Sequence, residues 1–176
     1  MIEREIKLSF PSAVAAREAM LAAGAEPLAP RRLQDDWLYD TADNRLFSQG
    51  SALRLRREDG HAVLTFKGPV EPGMMKTREE IETDVASHAA AAGVLARLGF
   101  RPWFRYQKYR EEFRAPGVVA AIDETPAGVY VEIEGSEEGI VSLAAQLGRA
   151  PADFILESYR GIWVNVRGAG AGDMLF

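Results

Sequence analysis

Along most of this chain, charged side chains recur at every second position while apolar ones fill the places between. A period of two marks a β-strand with two unlike faces. Residues 2–9 set Glu3, Glu5 and Lys7 on one face against Ile2, Arg4, Ile6 and Leu8 on the other. The same spacing groups Arg54 with Arg56, Thr65 with Lys67, and Lys76 with Arg78, Glu80 and Glu82. It also groups Lys108 with Arg110 and Glu112, Ala121 with Asp123, and Glu132 with Glu134. Leu53, Leu55, Leu64, Phe66, Ile81, Tyr109, Ile122, Val131 and Ile133 hold alternate positions and form the apolar faces. One such strand is an ordinary sheet with a wet side, where cross-strand ion pairs make a solvated ladder. The whole set is different, because its polar positions are nearly all Arg, Lys, Glu or Asp. We therefore expect the charged faces to converge on a shared interior, with the apolar faces buried beneath helices.

Strands are expected near residues 2–9, 34–39, 52–58, 62–67, 76–85, 105–114, 118–123 and 129–135. Asp59-Gly60 is a favoured hairpin dipeptide and joins the third to the fourth. Helices are expected over 12–23, with Ser12 as cap and Gly24 beyond the end, and after Ser87, with Ala91, Val94, Leu95 and Leu98 on one face. A third follows Ser136, with Glu137 and Glu138 in its first turn and Ile140, Leu143, Ala144 and Leu147 on one face. Pro151 suits the start of a short helix. The tract NRLFSQGS reads as a connection, 70–75 as a loop, and the Gly-rich tail as loose. About eight strands joined mostly as hairpins or through short helices give an α+β class, and eight antiparallel strands can close into a small barrel. At 176 residues one domain is expected, over 1–166, followed by a flexible tail over 167–176.

Composition closes several routes. There is no cysteine, so thiolate metal sites, iron–sulfur clusters and a cysteine nucleophile are excluded. The two histidines, His61 at the hairpin turn and His88 at a helix start, read as solvated bystanders. Trp37, Trp103 and Trp163 read as core or rim rather than as a platform for a base. A net charge of −5 gives no long-range pull toward nucleic acid or an anionic membrane. No apolar run approaches the roughly 18 residues that span a bilayer, and the N-terminus is charged from its third residue. A cytoplasmic protein with neither nucleic-acid nor membrane partner is expected. The GAGAG tract neither follows a βαβ strand nor opens a helix, so it is no dinucleotide fingerprint.

Converging carboxylates repel unless a cation is bound, and converging Arg and Lys call for an anion. Oxygen donors without cysteine and with few histidines suit Mg²⁺ or Mn²⁺. Guanidinium and ammonium groups suit phosphate oxygens, Arg bidentately and Lys as a point charge. The composite is a phosphoanhydride site, and phosphoryl transfer needs positioning and charge neutralisation more than a covalent nucleophile.

EREIK at 3–7 resembles the ExExK signature of the CYTH domain, the triphosphate tunnel metalloenzymes that include thiamine triphosphatases, inorganic tripolyphosphatases and class IV adenylyl cyclases. ALRLR at 52–56, LTFKGP at 64–69, REEIE at 78–82, KYR at 108–110, IDET at 122–125, VEIEG at 131–135 and ESY at 157–159 follow in the family's order. The resemblance implies an eight-stranded antiparallel barrel acting as a tunnel. It implies Glu3, Glu5, Asp123, Glu132 and Glu134 as ligands of Mg²⁺ or Mn²⁺, and Lys7, Arg54, Arg56, Lys67 and Arg110 as triphosphate-binding residues. Lys76, Arg78 and Lys108 are expected beside the substrate, Glu80 and Glu82 elsewhere in the tunnel, and Glu3, Glu5, Lys7 and Glu134 at the reacting group. The leading expectation is a metal-dependent hydrolase of a small-molecule triphosphate, acting as a monomer or homodimer. The alternative is a class IV adenylyl cyclase, toward which the spacing between Glu82 and Lys108 and the GVYVEIEG block lean. A third is a non-catalytic polyphosphate-binding module.

Overall fold

The computed structural model describes residues 1–176. In chain order the elements are β1 (Ile2–Phe10), α1 (Ala13–Ala22), β2 (Glu26–Asp40), α2 (Arg45–Ser48), β3 (Ala52–Glu58), β4 (His61–Lys67) and β5 (Lys76–Val85). There follow α3 (His88–Arg97), β6 (Arg101–Ala115), β7 (Val118–Thr125), β8 (Gly128–Gly135), α4 (Glu137–Gln146), a 3-10 turn (Pro151–Asp153) and α5 (Tyr159–Arg167). The strands form one closed barrel in the order β1-β5-β4-β3-β2-β6-β7-β8, every ladder antiparallel. The expected α+β barrel with helices outside is thus the observed fold.

Local sequence explains each junction. Asp59 and Gly60 take φ of 46° and 82°, the left-handed pair of a type I′ turn, and set Glu58 opposite His61. Ser12, Ser87 and Ser136 accept hydrogen bonds from the backbone N–H groups of Ala15, Ala90 and Gly139, capping α1, α3 and α4. Gly135, at φ 147°, ends β8 where a Cβ would lie 2.3 Å from the Gly117 carbonyl oxygen, so α4 can leave the barrel only through a residue without a side chain.

The apolar core lies outside the barrel wall. Ile6, Leu8, Ala120, Ile122, Val131 and Ile133 point outward and are buried under Ala16 and Met20 of α1 and Ile140, Leu143 and Ala144 of α4. A smaller cluster joins Leu95 of α3 to Tyr39 and Leu55. No helix is long and apolar enough to cross a membrane.

Several expectations are corrected. β2 begins at Glu26 rather than near residue 34, because Pro27 and Pro30 sit where its register against β6 shifts and no ladder N–H is demanded of them. A short helix, α2, interrupts the tract read as a connection, with the Asp40 carboxylate accepting from the N–H groups of Leu46 and Phe47. Of the apolar face of α3 only Leu95 is buried, while Val94 and Leu98 face solvent; Ile81 is likewise 56% exposed, since no helix packs closely on β5. His88 is half-buried, its ring 4.4 Å from that of Trp37.

The tail expected to be loose is docked. Met174 exchanges backbone hydrogen bonds with β6, its N–H donating to Arg105 at 2.9 Å and its carbonyl accepting from Gln107 at 2.8 Å. Its side chain is fully buried among Phe104, Tyr106, Tyr130, Tyr159, Ile162 and Trp163. The indole N–H of Trp163 donates to the Gly172 carbonyl, tying α5 to the same segment. The ladder between β6 and β7 starts only at Tyr109, so the tail supplies the partner that the earlier part of β6 lacks on that side. Met174→Ala is expected to cost about 2–5 kcal/mol, as for other emptied methionine sites. At about 2–4 °C per kcal/mol this lowers Tm by roughly 4–20 °C; a shift below about 2 °C by circular dichroism contradicts the docking.

Candidate active site in the tunnel

The inward faces of all eight strands enclose a charged lumen in two connected parts. A wide part of about 510 Å³ is lined by Glu3, Glu80, Glu82, Glu112, Glu132 and Glu134 together with Arg54, Arg56, Lys67 and Arg110, and only Met1 and Ile81 are apolar there. A narrow part of about 90 Å³ is lined by Lys7, Lys76, Arg78, Lys108 and Arg160, with Glu5 beneath them and Ser158 and Tyr159 of the α5 segment at its end. Arg54, Lys67 and Glu132 border both. The lumen is therefore polarised, with carboxylates dominating the wide part and cations the narrow one.

Register dictates this arrangement. β1 pairs with both β5 and β8, so Glu5 faces Lys76 on one side and Glu134 on the other, and Lys7 faces Glu132. Glu5 Oε1 accepts from Lys7 Nζ at 3.1 Å and Lys76 Nζ at 2.6 Å. Lys7 Nζ also lies 3.2 Å from Glu132 Oε2. Glu3 accepts from Lys67 Nζ at 2.7 Å and Arg78 Nε at 3.0 Å, and Lys67 reaches Glu80 as well. Arg110 binds Asp123 with two nitrogens, at 2.7 and 2.6 Å, and Glu132 Oε1 at 2.6 Å. Asp123 Oδ2 further accepts from Lys108 Nζ at 2.8 Å and the Tyr159 hydroxyl at 2.5 Å. Arg54 donates to Thr65 at 3.1 Å and to Glu82 at 3.4 Å.

Burying so many charges costs several kcal/mol per ion unless each finds a partner. Burial alone would raise the pKa of Glu5, but Lys7, Lys76 and Lys67 outweigh it and hold the carboxylate well below its ordinary range. Burial alone would lower Lys7, yet Glu5 and Glu132 keep it charged. Lys76 and Lys108 are brought down to about 8, first by burial and then by the neighbouring cations Lys7 and Arg78, and Arg110, respectively. Glu3 is raised by burial and by Glu5. Glu134 is pushed up to about 7, by burial first and then by the charges of Glu3 and Glu132. It lines the wide cavity opposite Glu5 without an ion-pair partner of its own. No three carboxylates stand grouped closely enough to form a ready-made coordination cluster, since lysines and arginines hold them apart.

All fifteen residues singled out in the sequence face the lumen or its ion-pair network, the one least open to the cavities being Asp123, whose two oxygens are taken by Lys108, Arg110 and Tyr159. Sequence reading missed others. Asp36 of β2 is fully buried and pairs with Arg56 Nε at 2.8 Å and Arg54 Nε at 3.6 Å, which holds its carboxyl below the ordinary range against the effect of burial. Its period-two relation to Gln34 and Leu38 was available, but the adjacent Asp35, which faces outward to Arg57 and Arg105, blurred the pattern. Tyr106 was missed as well and reaches the narrow part; Arg160, which directly follows the ESY block, reaches it too, one of its guanidinium nitrogens buried without a partner.

A CYTH domain model matches residues 1–159. The chain belongs to the CYTH domain family. A candidate adenylate cyclase of Methanocaldococcus jannaschii is 31% identical over 137 residues, covering 77% of this chain and 78% of that protein. A candidate triphosphatase of Bacillus subtilis is 28% identical over 96 residues, covering 52% of this chain and 50% of that one. Among solved structures, that of a candidate adenylate cyclase from Vibrio parahaemolyticus superposes with a TM-score of 0.79 at 23% identity, covering 92% of this chain and 97% of that chain, and so shares the CYTH fold.

The Glu134 carboxyl binds its proton more tightly in the folded state, where its pKa is about 7, than at its ordinary value of 4.5. Its ionisation therefore removes stability as pH rises through that window. In chelator-treated protein, Glu134→Gln is expected to raise Tm at pH 8 and to leave it nearly unchanged at pH 5. The gain is modest because the group opens to solvent in the wide cavity. Equal shifts at both pH values, measured by scanning calorimetry, contradict this account.

Proposed function

We propose that this CYTH chain hydrolyses a phosphoanhydride bond of a triphosphate in a divalent-metal-dependent reaction. The observation that carries the reading is the polarity of the lumen, a narrow cationic end behind a wide end rich in carboxylates. A linear polyanion entering through the wide part would find Lys7, Lys76, Arg78 and Lys108 at its buried end and Arg54, Arg56, Lys67 and Arg110 along its length. Binding would exchange present ion pairs for phosphate contacts, so the cations are already desolvated and aimed before substrate arrives.

The donor set fits a hard cation. Glu134 has no ion-pair partner, its neighbours Glu3 and Glu132 offer only oxygen, and neither histidine nor cysteine lines the lumen. Glu134 with Glu3 or Glu132 would hold Mg²⁺ or Mn²⁺, with Glu5 joining only if it leaves Lys7 and Lys76, and the ion when bound supplies charge neutralisation and an acidified water. Asp123, first grouped with these ligands, is better suited to orienting Lys108 and Arg110, which already saturate it together with Tyr159.

A second reading, cyclisation of ATP, draws support from the similarity to the candidate adenylate cyclase. Against it, the wide cavity has no aromatic ring on its lining and only two apolar residues, so no aromatic side chain stacks a purine there. A non-catalytic module is disfavoured because binding alone gives no reason for an uncompensated carboxylate beside an anion site.

Incubation with tripolyphosphate, thiamine triphosphate and ATP in Mg²⁺ or Mn²⁺ separates these readings. Release of orthophosphate is the expected result; cyclic AMP with pyrophosphate would replace the proposal with the cyclase, and tight binding with no turnover would replace it with the module. Glu5→Gln and Glu134→Gln are each expected to reduce turnover at least about 100-fold, the scale of a lost electrostatic or acid–base contribution, with the fold intact by circular dichroism. Near-normal turnover in both would remove these residues from the mechanism.

A further inference from the structure

Tyr159 is the one member of the buried ion-pair network not carried by the barrel. It is the first residue of α5, and the preceding Ser158 caps that helix by accepting from the Gly161 N–H. Its hydroxyl donates to Asp123 Oδ2 at 2.5 Å, the oxygen that also holds Lys108 at 2.8 Å and one Arg110 nitrogen at 2.6 Å. Its ring face lies 4.9 Å from Lys108 Nζ and 5.3 Å from Lys7 Nζ. The rings of Tyr106 and Tyr130 pack on it at 6.2 and 5.9 Å, so it has little freedom to turn.

Asp123 accepts from four donor atoms of three residues, three of them sharing Oδ2 and one on Oδ1. Without the phenol, that carboxylate could swing toward Arg110, and Lys108 would lose the fixed point that holds its ammonium in the narrow cavity. The phenol is an O–H donor, and its contact with Asp123 Oδ2 uses that proton.

We propose that Tyr159 is a positioning residue for phosphate binding, acting through Asp123 to hold Lys108 and Arg110 in place at the narrow end of the tunnel. The inference rests on the reading that the lumen takes a triphosphate. It predicts a defect in binding rather than in the chemical step, because both cations hold the phosphate chain in ground state and transition state alike.

Tyr159→Phe keeps the ring, its packing and its contacts with both ammonium groups, and removes only the hydroxyl. Steady-state hydrolysis of tripolyphosphate is expected to show KM about tenfold higher, the scale of one lost hydrogen bond to a charged group, with kcat within about threefold. Calorimetric Kd for tripolyphosphate in chelator should rise by a similar factor, while Tm falls by only a few degrees. In a Lys108→Met background the further effect of Tyr159→Phe should shrink to less than about threefold, since part of what it positions is gone. An unchanged Kd, or a full tenfold loss that persists in the Lys108→Met background, would overturn the positioning role and leave Tyr159 a packing residue. If wild-type protein itself neither binds nor cleaves any of the three triphosphates, the reading of the lumen fails, independently of Tyr159.

Discussion

The structure depends on the mutual neutralisation of buried charge inside a closed barrel. A carboxylate or ammonium removed from water loses several kcal/mol of solvation, and only a partner of opposite sign at hydrogen-bond distance offsets it. Here Glu5 shares Lys7 and Lys76, Glu132 shares Lys7 and Arg110, and Asp123 shares Lys108 and Arg110, so the interior is a connected lattice of pairs. Such a lattice adds little net stability. The folding free energy must come from the outward apolar faces, which α1 and α4 cover with Ile6, Leu8, Phe113, Ile133, Ile140 and their neighbours. The protein is thus built inside out relative to an ordinary small barrel, with hydrophobic packing outside the wall and polar chemistry within.

Neutralisation is uneven along the axis, and that unevenness links the fold to its chemistry. Cations exceed carboxylates in the narrow part, and carboxylates exceed cations in the wide part. Burial first, and like charges after it, bring Lys76 and Lys108 down to about 8 and push Glu134 up to about 7. Perturbations of opposite sense in one cavity are typical of functional sites. An anion at one end and a cation at the other would relieve both.

Much of this was legible in the chain. The period-two placement of Glu3, Glu5 and Lys7, of Arg54 and Arg56, and of Lys76 through Glu82 assigned each to one face of a strand, and the near absence of neutral polar residues at those positions argued for an interior. The hairpin at Asp59-Gly60 and the caps Ser12, Ser87 and Ser136 followed from local backbone chemistry and stand as expected. Asp36 was not legible, because acidic residues occupy both faces of β2 at that point and only pairing with β3 reveals which of them meets Arg54 and Arg56. The docking of the tail was hidden for a related reason: glycine-rich sequence carries little local preference, and Met174 is buried only because β6 offers it an open edge.

By itself the sequence determined which side chains share a face, since alternation is a property of the extended backbone and needs no neighbours. It determined as well that the polar face must be satisfied by charge of both signs. Only the tertiary structure decided which carboxylate meets which cation, where the excess of each sign falls along the lumen, and that Tyr159 enters the network from a helix outside the wall. Those outcomes depend on strand register and barrel closure, which bring together residues as distant in the chain as Glu3 and Lys67 or Asp123 and Tyr159, and pair energies that vary with distance and burial cannot be read from spacing along a single strand.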